Sequence, residues 1–136
     1  MTLTYAIEDD LAPEDFVDVL KRSGLDARRP VDKPEIIQGM VDNADLLVTA
    51  RDGDGQLVGI ARSVTDFAYC CYLSDLAVDR ACQRQGIGKE LIRRTKEAAG
   101  GDKIALLLLS APDGMDYYPR VGLESFDNCF GLRRTQ

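Results

Sequence analysis

The stretch from Leu73 to Ala99, LSDLAVDRACQRQGIGKELIRRTKEAA, constrains this chain more than any other. It reads as a strand over about residues 70–78, a short loop holding two glycines, and an amphipathic helix stopped by Gly100-Gly101. Ile87, Leu91, Ile92, Thr95, Ala98 and Ala99 fall on one side of that helix. Lys89, Glu90, Arg93, Arg94 and Lys96 fall on the other, with Glu90 and Arg94 spaced as an i,i+4 ion pair. Immediately beyond lies Lys103–Leu109, KIALLLL, an apolar run of strand length that predicts a strand buried on both faces. Strand, helix and strand in this order require a crossover with parallel pairing.

The rest of the chain fits around that unit. Residues 3–7 predict a first strand, and Ala12-Pro13-Glu14-Asp15 opens a helix carrying Phe16, Val17 and Leu20, ended by Ser23-Gly24. After a loop over 25–33, a second helix is predicted from Pro34 to about Asn43. Asp45–Arg51 and Gln56–Val64 read as a hairpin around the turn Asp52-Gly53-Asp54-Gly55, followed by a long strand within Phe67–Val78. Ala111–Arg120 allows a short helix, and Leu123–Arg134 allows two more short strands. The predicted order is β-α-α-β-β-β-α-β-α-β-β: an α/β chain with a mixed sheet and helices on both faces. At 136 residues, the length predicts a single domain over 1–136.

Composition narrows the function classes. A net charge of −6 and a pI near 4.6 argue against a nucleic-acid scaffold, which needs a basic footprint. No apolar run reaches membrane-spanning length, and the N-terminus MTLTYAIEDD has neither a basic flank nor an apolar signal core. The expectation is therefore a cytoplasmic protein with no membrane partner. With no histidine, a Ser-His-Asp or Cys-His system is excluded within the chain. Cys70, Cys71, Cys82 and Cys129 form no CxxC pair, so no metal site is expected, and buried free thiols are.

The loop Gln83-Arg84-Gln85-Gly86-Ile87-Gly88 carries the chemistry. A glycine-bearing turn entering a helix N-terminus presents free N–H groups within a positive dipole field, a setting suited to phosphate or pyrophosphate. Gly86 and Gly88, having no β-carbon, would let an anion approach the main chain, and Arg84 and Lys89 add positive charge. The Walker pattern fails: its first glycine falls on Gln83, and Glu90 stands where the magnesium-binding hydroxyl should be. The dinucleotide fingerprint GxGxxG is absent. On its own residues, the loop is an anion site or a tight strand-to-helix connection.

The loop resembles the Q/R-x-x-G-x-G/A signature of the GNAT family of N-acetyltransferases. Leu76-Ala77-Val78 lies upstream and Tyr117-Tyr118-Pro119-Arg120-Val121-Gly122-Leu123, similar to the family's F-Y-x-x-x-G-F segment, lies downstream. The resemblance spans nearly the whole chain and implies the acyl-CoA N-acyltransferase fold. It implies acetyl-CoA, or another short acyl-CoA, as donor, and as acceptor an unidentified small-molecule or peptide amine attacking directly in a ternary complex. It also implies that the main chain of Leu76, Ala77 and Val78 bonds the pantetheine arm. The amides of Gln83, Arg84, Gln85, Gly86, Ile87, Gly88 and Lys89 would hold the pyrophosphate. Tyr118 is the implied general acid and Asp75 the implied base. The family's usual asparagine falls on Ala111, leaving Ser110 as the substitute contact. The alternative is a non-catalytic acyl-CoA-binding or regulatory domain of the same fold. The short final strand also leaves room for a homodimer in which a second copy completes the acceptor pocket.

Overall fold

The computed structural model describes residues 2–136. Five strands form one sheet in the order β1-β2-β3-β4-β5: β1 (Thr4–Ile7), β2 (Leu46–Arg51), β3 (Leu57–Thr65), β4 (Cys70–Val78) and β5 (Ala105–Leu107). The first four pair antiparallel and β4 pairs parallel to β5, giving the mixed sheet that the crossover requires. Helices α1 (Pro13–Ser23) and α2 (Pro34–Asp42) cover one face, and α3 (Ile87–Ala99) covers the other. A four-residue helix, α4 (Tyr117–Arg120), follows β5. Among the described residues, no helix is long and apolar enough to cross a membrane.

Local chemistry accounts for the element ends. Proline occupies the first turn of both α1 and α2, where its missing N–H costs nothing. Gly24 closes α1 in the left-handed conformation at φ 88°. In the β2–β3 turn, Asp52 accepts hydrogen bonds from the amides of Asp54 and Gln56. Strand β4 starts later than its composition predicts because Asp66 accepts the amides of Ala68, Tyr69 and Cys70, folding 66–69 into a turn.

Two apolar layers sandwich the sheet. Phe16, Val19, Leu20, Ile37 and Val41 pack onto Leu47, Leu57, Ile60 and Ala77; on the opposite face Ile87, Leu91 and Ile92 pack onto Leu46, Val48, Ala61, Cys71 and Leu73. Gly59 admits α3: a β-carbon there would lie 3.0 Å from Ile87 Cγ2 and 3.1 Å from Leu91 Cδ1.

One irregularity redirects β4. Arg62 pairs with Asp75 and Ser63 with Leu73, so Ser74 is an extra residue, a β-bulge. The bulge inverts the alternation. Cys71 and Leu73 face α3 before it and Leu76 and Val78 do so after it, which turns Asp75 and Ala77 toward α1 and α2.

Three expectations are corrected. Neither strand predicted in the tail forms; residues 123–136 have no regular structure and almost all are exposed. Strand β5 is consequently an edge strand of three residues rather than one buried on both faces, with Leu107 and Leu109 exposed. Of the cysteines expected to be interior, only Cys71 and Cys82 are buried; Cys70 and Cys129 are exposed.

Leu91 is wholly buried between α3 and Gly59. Leu91→Ala is expected to lower unfolding stability by about 2–5 kcal/mol, because the rigid sheet beneath cannot collapse into the space. Urea unfolding measures this directly.

Candidate functional site

The pairing of β4 with β5 covers only Cys70–Tyr72 against Ala105–Leu107. Beyond it, β4 continues from Leu73 to Val78 with no strand neighbour on that side among the described residues, so its outward backbone edge is left without a strand partner. Leu76, Ala77 and Val78 lie on this open stretch. The Val78 carbonyl accepts a 3.1 Å hydrogen bond from the Gln83 side-chain amide, tying the end of the strand to the loop that follows.

That loop leads from a 3-10 turn, Arg80–Cys82, into α3. Arg84 and Gly86 both adopt left-handed backbone, at φ 65° and 81°, and bracket Gln85. Alternation of this kind gathers amides into anion-binding concavities. Gly86 is the N-cap of α3 and no side chain caps the helix; its carbonyl accepts from Glu90. The first amides of the helix, at Ile87, Gly88 and Lys89, therefore have no partner within the described residues. A β-carbon on Gly86 would meet nothing within 4 Å. A hollow of about 300 Å³ lies alongside, lined by Gly86, Lys89, Glu90, Ile92, Arg93 and Val121.

The second glycine has a different reason. A β-carbon on Gly88 would collide with the Tyr117 hydroxyl. Gly88 thus seats Tyr117 on the start of α3, a contact that sequence reading missed. Tyr118 crosses Tyr117 edge-on, with ring centroids 5.2 Å apart at 76°. It packs against the α3-side core beside Val121 and Leu123. Burial raises the Tyr118 phenol above its ordinary range; Tyr117 adds to this and Arg29 opposes it. The phenol therefore keeps its proton throughout the neutral range. The Ser110 hydroxyl donates to the Ala111 carbonyl at 2.7 Å, and a β-carbon on Gly114 would approach both Ser110 and the Tyr118 ring.

Asp75, expected as a base, is fully buried. Arg29 Nε–H donates to one of its carboxylate oxygens and Arg62 Nε–H to the other. The same guanidinium groups hold the bulge: Arg29 Nη2 donates to the Ser74 carbonyl at 2.8 Å and Arg62 Nη2 to the Ser74 hydroxyl at 2.9 Å. Both oxygens being engaged, the geometry argues against Asp75 as a proton acceptor and for Asp75 as a positioning residue. Neither arginine was singled out from sequence, although Arg62 within the otherwise apolar LVGIARSV was a visible signal that a buried charge needed a partner. Tyr69 and Tyr72 are both exposed. Tyr69 lies in the turn just before β4 and Tyr72 near its start, both away from Leu76–Val78. Among the described residues, no group of three His, Cys, Asp or Glu could hold a metal.

Comparison with known proteins agrees with this geometry. Residues 7–122 match the Acetyltransferase (GNAT) family, and the chain belongs to it. A search of curated proteins finds no significant match. Among solved structures, a GNAT-family acetyltransferase from Streptococcus pneumoniae superposes with a TM-score of 0.74 at 22% identity, over 99% of this chain and 98% of that one. An aminoglycoside acetyltransferase from an uncultured soil metagenomic sample, in complex with sisomicin, gives 0.69 at 21% identity, over 98% and 96%. The Escherichia coli GNAT-family protein YhbS, in complex with CoA, gives 0.69 at 19% identity, over 90% and 68%. These likenesses establish a shared fold.

Asp75→Asn removes the charge facing two largely buried guanidinium groups. It is expected to cost about 3 kcal/mol of stability, the usual order when one partner of a buried pair is neutralised. Chemical denaturation of the variant beside the parent tests this.

Proposed function

We propose that this chain is an N-acetyltransferase that moves an acetyl group from acetyl-CoA to a primary amine by direct attack in a ternary complex. One juxtaposition carries the reading: the outer edge of β4 from Leu73 to Val78, which has no strand partner opposite β3, runs into a glycine loop with uncapped amides at the start of α3. An extended pantetheine arm needs strand-like backbone partners, and a pyrophosphate needs clustered N–H donors in a positive field. Leu76, Ala77 and Val78 would supply the first. Gln83 through Lys89 would supply the second, with Arg84 and Lys89 adding charge.

Bound there, acetyl-CoA supplies the acyl group as a thioester. The chain's task is to orient the acceptor, exclude water and deliver a proton. The amine nitrogen would bond to the acyl carbon as the carbon–sulfur bond breaks; the amine would release its proton to solvent, Tyr118 would protonate the departing thiolate, and solvent would return a proton to Tyr118. Burial keeps the Tyr118 phenol protonated, and an alkyl thiol lies close enough in acidity for the transfer. Asp75 acts at one remove, fixing through Arg29 and Arg62 the bulge that aims Leu76–Val78. A small cationic amine suits a chain of net charge −6, and a protein of the same fold binds the aminoglycoside sisomicin.

The internal bond of Ser110 and the engagement of both Asp75 oxygens keep a second reading open, a non-catalytic acyl-CoA-binding domain. Thiol release on incubation with acetyl-CoA and a panel of amines separates the two. Gly86→Glu, which sets a carboxylate at the uncapped helix start, is expected to abolish acetyl-CoA binding in calorimetry; undiminished affinity would overturn the loop assignment. Tyr118→Phe is expected to reduce kcat about 100-fold or more with little change in acetyl-CoA affinity. Equal turnover would remove Tyr118 as the acid.

A further inference from the structure

Toward β5, the α1 and α2 face of the sheet is left uncovered. The register aligns Val64 with Tyr72 and Tyr72 with Leu107, setting three side chains in a row across adjacent strands. Val64 shares the face of Arg62, two residues earlier on β3, whose guanidinium lies on the α2 side at the Met40 carbonyl. On β5 and just beyond it, Leu106 and Leu108 pack against the α3 side, which turns Leu107 and Leu109 the other way. Val64, Tyr72 and Leu107 are 48%, 41% and 44% exposed, and Leu109 is 64% exposed. A hollow of about 430 Å³ lies over the row. Sites for small organic molecules run from roughly 300 to 1,000 Å³.

The row ends where the sheet opens. Pairing of β4 with β5 stops at Tyr72 and Leu107, and among the described residues no strand lies beside Leu73–Val78 on that edge. Arg29 reaches this stretch from the α1 and α2 side and donates to the Ser74 carbonyl at 2.8 Å. Tyr118 packs on the α3 side, where Gly114 leaves room for its ring beside Ser110. The two sides act on each other through the opening, since the Arg29 guanidinium opposes the rise that burial gives the Tyr118 phenol.

The charges select among amines. Arg29 and Arg62 share the one carboxylate of Asp75, so the cluster beside the row is net positive. The acid on the rim of the hollow, Asp66, already accepts the amides of Ala68, Tyr69 and Cys70. A polycation would bring further ammonium groups against like charge, whereas an apolar group gains by covering the row. The positive cluster also favours the uncharged form of a single amine, the form that attacks.

We propose that this face is the specificity subsite for the acceptor, and that it takes the phenyl or branched-alkyl group of a hydrophobic primary amine with one cationic centre on a short alkyl spacer. The apolar group lies on Val64, Tyr72 and Leu107, and the amino end passes through the opening to the thioester beside Tyr118. The inference rests on the acetyl-CoA reading and adds the class of acceptor to it. The amide bond forms, the acyl–sulfur bond breaks and CoA leaves as the thiol; the amine proton goes to solvent, and solvent restores the proton that Tyr118 gives to sulfur.

Thiol release at saturating acetyl-CoA tests it, with phenethylamine, isopentylamine, ethanolamine, putrescine, spermidine and kanamycin as acceptors. The first two are expected to exceed the others in kcat/KM by roughly 10-fold or more. Tyr72→Ala and, separately, Val64→Asp are each expected to erase most of that preference by raising KM for phenethylamine, with acetyl-CoA affinity unchanged in calorimetry. Should either variant fail to fold, the order of acceptors for the parent chain decides. A preference for ethanolamine or for the polycations overturns the proposal, as does a hydrophobic preference that survives both substitutions. A dimer that Val64→Asp converts to monomer puts a second copy on this face and overturns it too. Acetyl-CoA binding with no turnover of any acceptor removes the transferase reading and this proposal together, whereas turnover with the reverse order of acceptors removes this proposal alone.

Discussion

The charge cluster of Arg29, Asp75 and Arg62 holds the bulge on which the rest of the site depends. Without the extra residue at Ser74, Asp75 would share the face of Leu73 and enter the apolar layer under α3, where an ionised carboxylate has no partner. With it, Asp75 turns toward the loop between α1 and α2 and meets two guanidinium groups, while the carbonyl and hydroxyl of Ser74 accept from the same two arginines. The cluster binds three parts of the chain: β3 through Arg62, the α1–α2 connection through Arg29, and β4 itself. Two apolar groups of similar volume would be cheaper to bury, whereas removing one partner alone leaves the remaining charges uncompensated.

From this anchor the free edge of β4 follows. Pairing between β4 and β5 ends at Tyr72 and Leu107, just before the bulge, and the remainder of β4 keeps a free edge. An open edge is ordinarily a liability, yet here it ends at an uncapped helix whose first amides also lack partners. Two kinds of unsatisfied backbone therefore lie in series, one suited to an extended chain and the other to an anion. Tyr117 and Tyr118 close over this region from α4, with Gly88 admitting the Tyr117 hydroxyl.

Much of the architecture was legible because it rests on local signals. Pro13 and Pro34, the Asp-Gly turn at 52–55, and the 3.6-residue stripe of α3 each act within a few residues, and the elements form where those signals place them. The glycine loop was legible for the same reason. What was misread depends on distant neighbours. KIALLLL looks like a strand buried on both faces, but burial requires a further strand alongside, and the tail does not supply one within the copy. Gly88 is legible as part of the glycine turn, but that its missing side chain also accommodates Tyr117 from 29 residues further on is not. Asp75 looks like a base on the central strand, but its chemistry is set by Arg29 and Arg62.

The sequence by itself determined the order of helices and strands as far as β5 and a glycine-bearing loop at the start of α3, because period, capping and turn chemistry act over short spans of chain. Only the tertiary structure decided which face Asp75 takes, where the β4 edge falls open, and that the apolar row at Val64, Tyr72 and Leu107 is left uncovered. Each of those depends on the register between strands, and a single extra residue at Ser74 inverts every side chain after it.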